Sequence, residues 1–155
     1  MAIDGEAHRL LVVFRNPPTL MALSSQDGHV AAKVETCGDA DDVFFDRKRR
    51  RVYVSCGAGA VDVLEPDEQG YRRLAHVPTV SGARTSLFVP ELDRLFVAVR
   101  AGSNGPGGDL GVPARLIEGG WRRRHQLNQM FPSPSSTKPC VFRRYSLNPA
   151  NHSPG

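Results

Sequence analysis

Short apolar runs alternate with polar turns along the first hundred residues, and the pattern returns. Arg9-Leu10-Leu11-Val12 reappears as Arg51-Val52-Tyr53-Val54 and as Arg94-Leu95-Phe96-Val97, spaced 42 and 43 residues apart. Each copy opens on an apolar pair: Ala2-Ile3, Phe44-Phe45 and Phe88-Val89. A polar hairpin follows, at 4–8, 46–50 and 90–93, and leads into the anchor. Copies one and two continue into Leu20-Met21-Ala22-Leu23 and Val61-Asp62-Val63-Leu64. They turn at 25–28 and 66–70 and end in outer segments at 30–34 and 71–75. Runs of this length bounded by turn residues predict strands. No segment before residue 101 sustains a helical period.

Four short strands in a repeat of roughly 40–45 residues are the pattern of a β-propeller blade. The fold class that follows is all-β. It is a partial β-propeller of about two and a half four-stranded antiparallel blades, at 1–42, 43–85 and an incomplete 86–101. A closed ring takes about four to eight blades, and each blade buries its faces against its neighbours. Two and a half blades leave a sheet face and a strand edge uncovered. Self-association through those surfaces is therefore expected.

Composition changes after Ala101. Gly102-Ser103-Asn104-Gly105-Pro106-Gly107-Gly108 reads as a flexible linker. The rest, rich in Pro, Ser and Arg, predicts a disordered tail over 102–155. A shifted reading frame would explain this ending. Permitted codons for Gly107 to Ile117, read one base forward, encode Ala-Glu-Ile-Trp-Val-Tyr-Arg-Pro-Gly and a stop, an alternating strand of the kind a blade needs. Charge follows the same division. Of twenty Lys and Arg, seven lie after residue 101, against two of sixteen Asp and Glu. Residues 1–101 therefore carry a net charge of −1, although the whole chain carries +4. The high overall pI gives no support to nucleic acid as a partner, which is disfavoured.

The segments 37–46, 51–57 and 82–90 resemble the YVTN type of β-propeller, and the chain is similar to the C-terminal portion of YncE-like propeller proteins. The resemblance covers about residues 1–101. It implies a bacterial protein, often exported, with a seven-bladed ring when complete. As it stands, the chain shows no basic, apolar leader at Met1-Ala2-Ile3-Asp4, so a cytoplasmic location is expected, with a periplasmic or exported parent. Leu10-Leu11-Val12-Val13-Phe14 is too short to span a membrane.

Candidate site residues come from the loops that enter a new blade, where propellers usually meet ligands. They are Asp39, Asp41 and Asp42 in the first loop and Arg84 and Thr85 in the second. One reading makes them a polar pocket, with Arg84 gripping an anion and the Asp side chains binding a cation or a partner's basic group. The favoured reading has Asp and Thr capping their own turns. No calcium loop is complete and no Cys-x-x-Cys is present, so no metal and no cofactor is expected. Cys37 and Cys56 have two readings, a disulfide formed where neighbouring blades bring them together in an exported protein or two buried thiols. His8, His29 and His76 read as surface residues. The basic run Arg47-Lys48-Arg49-Arg50-Arg51 reads as a solvated turn.

No Gly-x-Ser-x-Gly or His-Glu-x-x-His occurs, and no catalytic residue is assigned. The expectation is a protein that is not an enzyme: a binding scaffold for a protein or small molecule. The alternatives are a piece of a lactonase-like or haem-carrying nitrite-reductase-like propeller enzyme, and a nucleic-acid-binding propeller.

Overall fold

Alternation along the anchors decides which side chains each sheet buries. The computed structural model describes residues 1–101 and 107–114, all within one compact unit spanning Met1–Arg123. They form eleven strands and one 3-10 turn, Pro90–Leu92. The first sheet runs β1 (Ala2–Asp4), β2 (Arg9–Arg15), β3 (Pro18–Ser24), β4 (Val30–Glu35), in that spatial order. The second repeats it with β5 (Ala40–Asp46), β6 (Arg51–Cys56), β7 (Ala60–Asp67) and β8 (Gly70–Pro78). The third contains β9 (Ser86–Val89), β10 (Arg94–Val99) and β11 (Gly108–Pro113), with β10 in the centre. Every pairing is antiparallel. The sheets are successive blades of a propeller.

The repeat is also written in the backbone. His8, Arg50 and Asp93 hold the same hairpin position before each anchor Arg, and all three are left-handed, with φ of 51, 52 and 54°. This tightens the four-residue hairpin so that Asp4, Asp46 and Val89 fall opposite Arg9, Arg51 and Arg94. Pairing in the third blade corrects the sequence alignment by one residue. Phe88, not Val89, lies opposite Leu95, as Phe45 lies opposite Val52 and Ile3 opposite Leu10. Such a slip exchanges the two faces of a strand.

Two apolar layers result. Leu11, Leu20 and Ala22 of the first blade pack against Val43, Val52, Val54 and Leu64 of the second. From the opposite side of the second blade, Tyr53, Val61, Val63 and Val77 pack against Phe88, Leu95 and Val97 of the third. The second and fourth anchor residues thus face the preceding blade, and the third faces the following one. Tyr53 and Phe88 stack tilted, with ring centroids 5.2 Å apart, a favoured aromatic arrangement.

The third blade differs from expectation at its end. Residues 108–113, assigned to the tail by composition, pair with β10 along its whole length. Residues 102–106 and 115–155 of the predicted tail, including Cys140, lie outside the described residues. Among the described residues, no helix is long and apolar enough to cross a membrane.

Candidate functional site

Antiparallel order puts the loops entering β5 and β9 at the same end of the sheets as the β2–β3 and β6–β7 turns. Left-handed backbone opens both entering loops, at Asp39 (φ 57°) and Gly82 (φ 82°). Asp39 is pinned twice through its backbone segment: Gly57 N–H donates to its carbonyl at 2.8 Å, and Ala58 N–H donates to the Gly38 carbonyl at 3.1 Å. Gly57 has a steric reason to lack a side chain, since a Cβ there would collide with the Asp39 carboxylate. Cys37 and Cys56, which flank these loops, are joined as a disulfide, with Cα atoms 5.8 Å apart. Both are buried.

Arg84 Nη1 donates to Asp39 Oδ2 at 2.6 Å, and its Nε lies 3.9 Å from Asp41 Oδ2. Arg15, at the end of β2, pairs with Asp41 and lies 3.6 Å from Asp39 Oδ1. Its Nε donates to the Ala40 carbonyl at 3.2 Å. Two guanidiniums and two carboxylates from three blades therefore share one ionic cluster. The Asp39 carboxylate, by hydrogen bond and charge, holds the Arg84 guanidinium above its ordinary range. The cluster is partly solvated, with side-chain exposures from 28 to 52 %.

The remaining candidates stay apart from it. Asp42 Oδ2 accepts the Ser86 N–H at 2.6 Å, tying β5 to β9, and Ser55 and Ser86 hydroxyls meet at 2.7 Å beside that tie. Thr85 is exposed and contributes its carbonyl to Ala98 N–H at 2.8 Å. None of the three aspartates caps its own turn. Each bonds across 26 to 45 residues, so the favoured local-capping reading fails for them. Among the described residues, no group of three or more His, Cys, Asp or Glu is placed to hold a metal.

Sequence reasoning missed the ionic contacts of Arg15, Asp62 and Arg49. Arg15 gave no signal, because its repeat equivalent is Gly57. Asp62 is fully buried in β7. Its Oδ2 accepts Cys37 N–H at 2.7 Å and lies 3.0 Å from Arg73 Nε, and its Oδ1 lies 2.6 Å from His76 Nδ1. His76 itself is exposed. At the opposite end of the sheets, the basic run divides. Arg47, Lys48 and Arg50 are exposed, but Arg49 is only 10 % exposed and pairs with Asp46 and Asp93. The solvated-turn reading is wrong for Arg49. Beside it lies a groove of about 440 Å³, lined by Phe45, Asp46, Arg47, Lys48, Phe88 and Pro90 together with Asp93.

No protein-family model matches the chain, and no curated protein sequence matches it. The fold does match a solved structure. That protein, from Bacteroides fragilis, is provisionally described as a 6-phosphogluconolactonase. The TM-score is 0.54 at 16% identity, covering 72% of this chain and 36% of the other. The propeller-type fold is thereby shared, and this chain spans about a third of the length of that protein. The expectation that the chain is not an enzyme does not stand. Its fold is shared with a protein described as an enzyme, so the lack of a familiar motif no longer argues against catalysis.

Proposed function

We propose that these blades form part of a lactonase-like propeller and that the Arg15–Asp39–Asp41–Arg84 cluster is one wall of a site for an anionic, sugar-acid ligand. The carrying observation is that loops from three consecutive blades converge at one sheet end with two guanidiniums in a single partly solvated cluster. Each Arg is neutralised by carboxylates in the free protein. Exposed ion pairs are worth only about 0–1 kcal/mol, so exchanging Asp39 for a ligand phosphate or carboxylate on Arg84 costs little. The guanidinium fork then offers two parallel donors. A YncE-like kinship, read from the repeat, is compatible with this role, because fold alone does not fix chemistry.

The test is calorimetric titration of the chain with 6-phosphogluconate, followed by an assay of 6-phosphogluconolactone hydrolysis. A contribution from one wall predicts binding of roughly millimolar strength, about 4 kcal/mol, abolished in Arg84→Ala and retained in Lys48→Ala. No heat of binding, or loss in Lys48→Ala with Arg84→Ala unaffected, places the ligand elsewhere and rejects the proposal. Loss in the lysine variant would point to the groove at the opposite sheet end, where Arg47 and Lys48 stand exposed over Phe45 and Phe88.

A further inference from the structure

The hairpins of the first two blades hold the same acid in the same pose but give it different partners. Asp4 and Asp46 lie opposite Arg9 and Arg51 at the same register position, and both are buried. Asp4 Oδ1 accepts the Ala7 N–H at 3.1 Å, as Asp46 Oδ1 accepts the Arg49 N–H at 3.3 Å. The second oxygens differ. Asp46 Oδ2 accepts Arg49 Nη1 at 3.1 Å and the Tyr53 hydroxyl at 2.8 Å. Asp4 is 1% exposed, and its Oδ2 has no hydrogen-bond partner among the described residues. The repeat supplies the reason: Ala7 and Leu11 stand where the second blade has Arg49 and Tyr53. A buried carboxylate oxygen without a donor is costly and rare.

A pocket of about 320 Å³ lies at this position. Asp4, Ala7 and Arg50 line it, and by hairpin position they are the counterparts of Asp46, Arg49 and Asp93, which meet around the Arg49 guanidinium one junction further on. The β7–β8 turn adds Asp67 and Glu68, and Arg9 shares the wall. Small-molecule sites run from about 300 to 1,000 Å³, so this one suits a small ligand. Every lining residue belongs to the first two blades, so the pocket is walled without any residue before Met1 or after Tyr71. It lies at the opposite sheet end from the Arg84 cluster and stands apart from the anion site proposed above. Three acids and two bases in the wall suit a ligand that carries both charges. We propose that this pocket binds a small guanidino acid, of the class of free arginine. Its guanidinium enters past Ala7 and Arg50, both exposed, and donates to Asp4 Oδ2 as Arg49 does to Asp46. Its carboxylate meets Arg9 or Arg50 as a charge-assisted pair.

Calorimetric titration of the full 155-residue chain with L-arginine tests this. Saturable binding of roughly millimolar strength is expected. L-Citrulline keeps the shape but carries an uncharged ureido group. It should bind at least about tenfold more weakly, for want of a charge-assisted hydrogen bond. Nα-acetyl-L-arginine amide stands in for an arginine within a protein and lacks the carboxylate, so it too should bind more weakly. Asp4→Asn keeps the Oδ1 cap and should weaken L-arginine binding at least about tenfold. Ala7→Arg, at an exposed position, supplies the guanidinium from within. It should remove the binding and raise the melting temperature, and it keeps the test decisive if Asp4→Asn fails to fold. No saturable binding, parity of L-citrulline or of the amide with L-arginine, or binding left unchanged in Ala7→Arg or in a folded Asp4→Asn overturns the proposal.

Discussion

Arg49 grips Asp93 with both arms of its guanidinium, Nη1 to Oδ1 at 2.5 Å and Nη2 to Oδ2 at 2.7 Å. The pair joins the hairpin of the second blade to that of the third. Asp46 completes it, with Oδ2 3.1 Å from Arg49 Nη1, and accepts the Tyr53 hydroxyl on the same oxygen at 2.8 Å. The hydrogen bonds that Arg49 donates to Asp93, and then to Asp46, hold the guanidinium protonated well above its ordinary range. Arg49→Ala removes a guanidinium bonded to both acids and takes a cation away from the buried Asp46. The expected loss is about 3 kcal/mol in urea unfolding. Arg49→Lys recovers part of it, because an ammonium cannot match the fork.

The Tyr53 phenol is pushed above its usual value, first by burial and then by its hydrogen bond to the Asp46 carboxylate. The neutral form is the one the fold prefers. Its stabilising contribution is therefore complete below the unfolded value, near pH 10, and is lost as pH rises beyond it. Tyr53→Phe should cost about 1 kcal/mol at pH 7 and show a shallower alkaline decline than the unaltered chain. A denaturation series from pH 7 to 11 measures both.

Cys37 and Cys56 stand 19 residues apart in sequence and brace the loops that carry Asp39 and Gly57. Closing a loop of that size stabilises by about 3 kcal/mol, chiefly through the unfolded chain. A chain with both cysteines changed to alanine should melt lower by that equivalent and should no longer respond to reductant. The unaltered chain should lose a similar amount when reduced. Thermal scans with and without dithiothreitol decide it.

The third blade makes a prediction about the gene. Asp109 and Gly111 lie where the repeat calls for apolar side chains facing a following blade. Read one base forward from codon 107, permitted codons would place isoleucine at position 109 and valine at position 111. We propose that the segment after Pro106 is a shifted reading of such a strand. The nucleotide sequence should show it directly. A codon set that cannot encode Ala-Glu-Ile-Trp-Val-Tyr in the shifted frame ends the proposal.

The repeat was legible because blades are made of local elements: alternating runs, polar hairpins and a fixed period. Strand order and the facing of the anchors follow from that alternation. β11 was not legible, since Gly108, Asp109 and Gly111 have little strand propensity and pair only because β10 offers an edge. The loops carrying Asp39, Asp41 and Arg84 were found from the period, but their bonds were not. Arg15 and Arg84 lie 26 and 45 residues from their partners, a distance at which sequence carries no pairing signal. Arg49 looked solvated for the same reason: five basic residues in a row hide the one whose partner arrives from the next blade.

Three consecutive blades in face-to-face order is the claim on which the rest depends, and the contact between Tyr53 and Phe88 tests it most directly. A nuclear Overhauser spectrum of the labelled 155-residue chain should connect those two rings, 5.2 Å apart between centroids, together with the methyls of Val63 and Val97. A folded chain whose Tyr53 ring shows no contact with Phe88, or whose spectrum is helical, contradicts the blade arrangement.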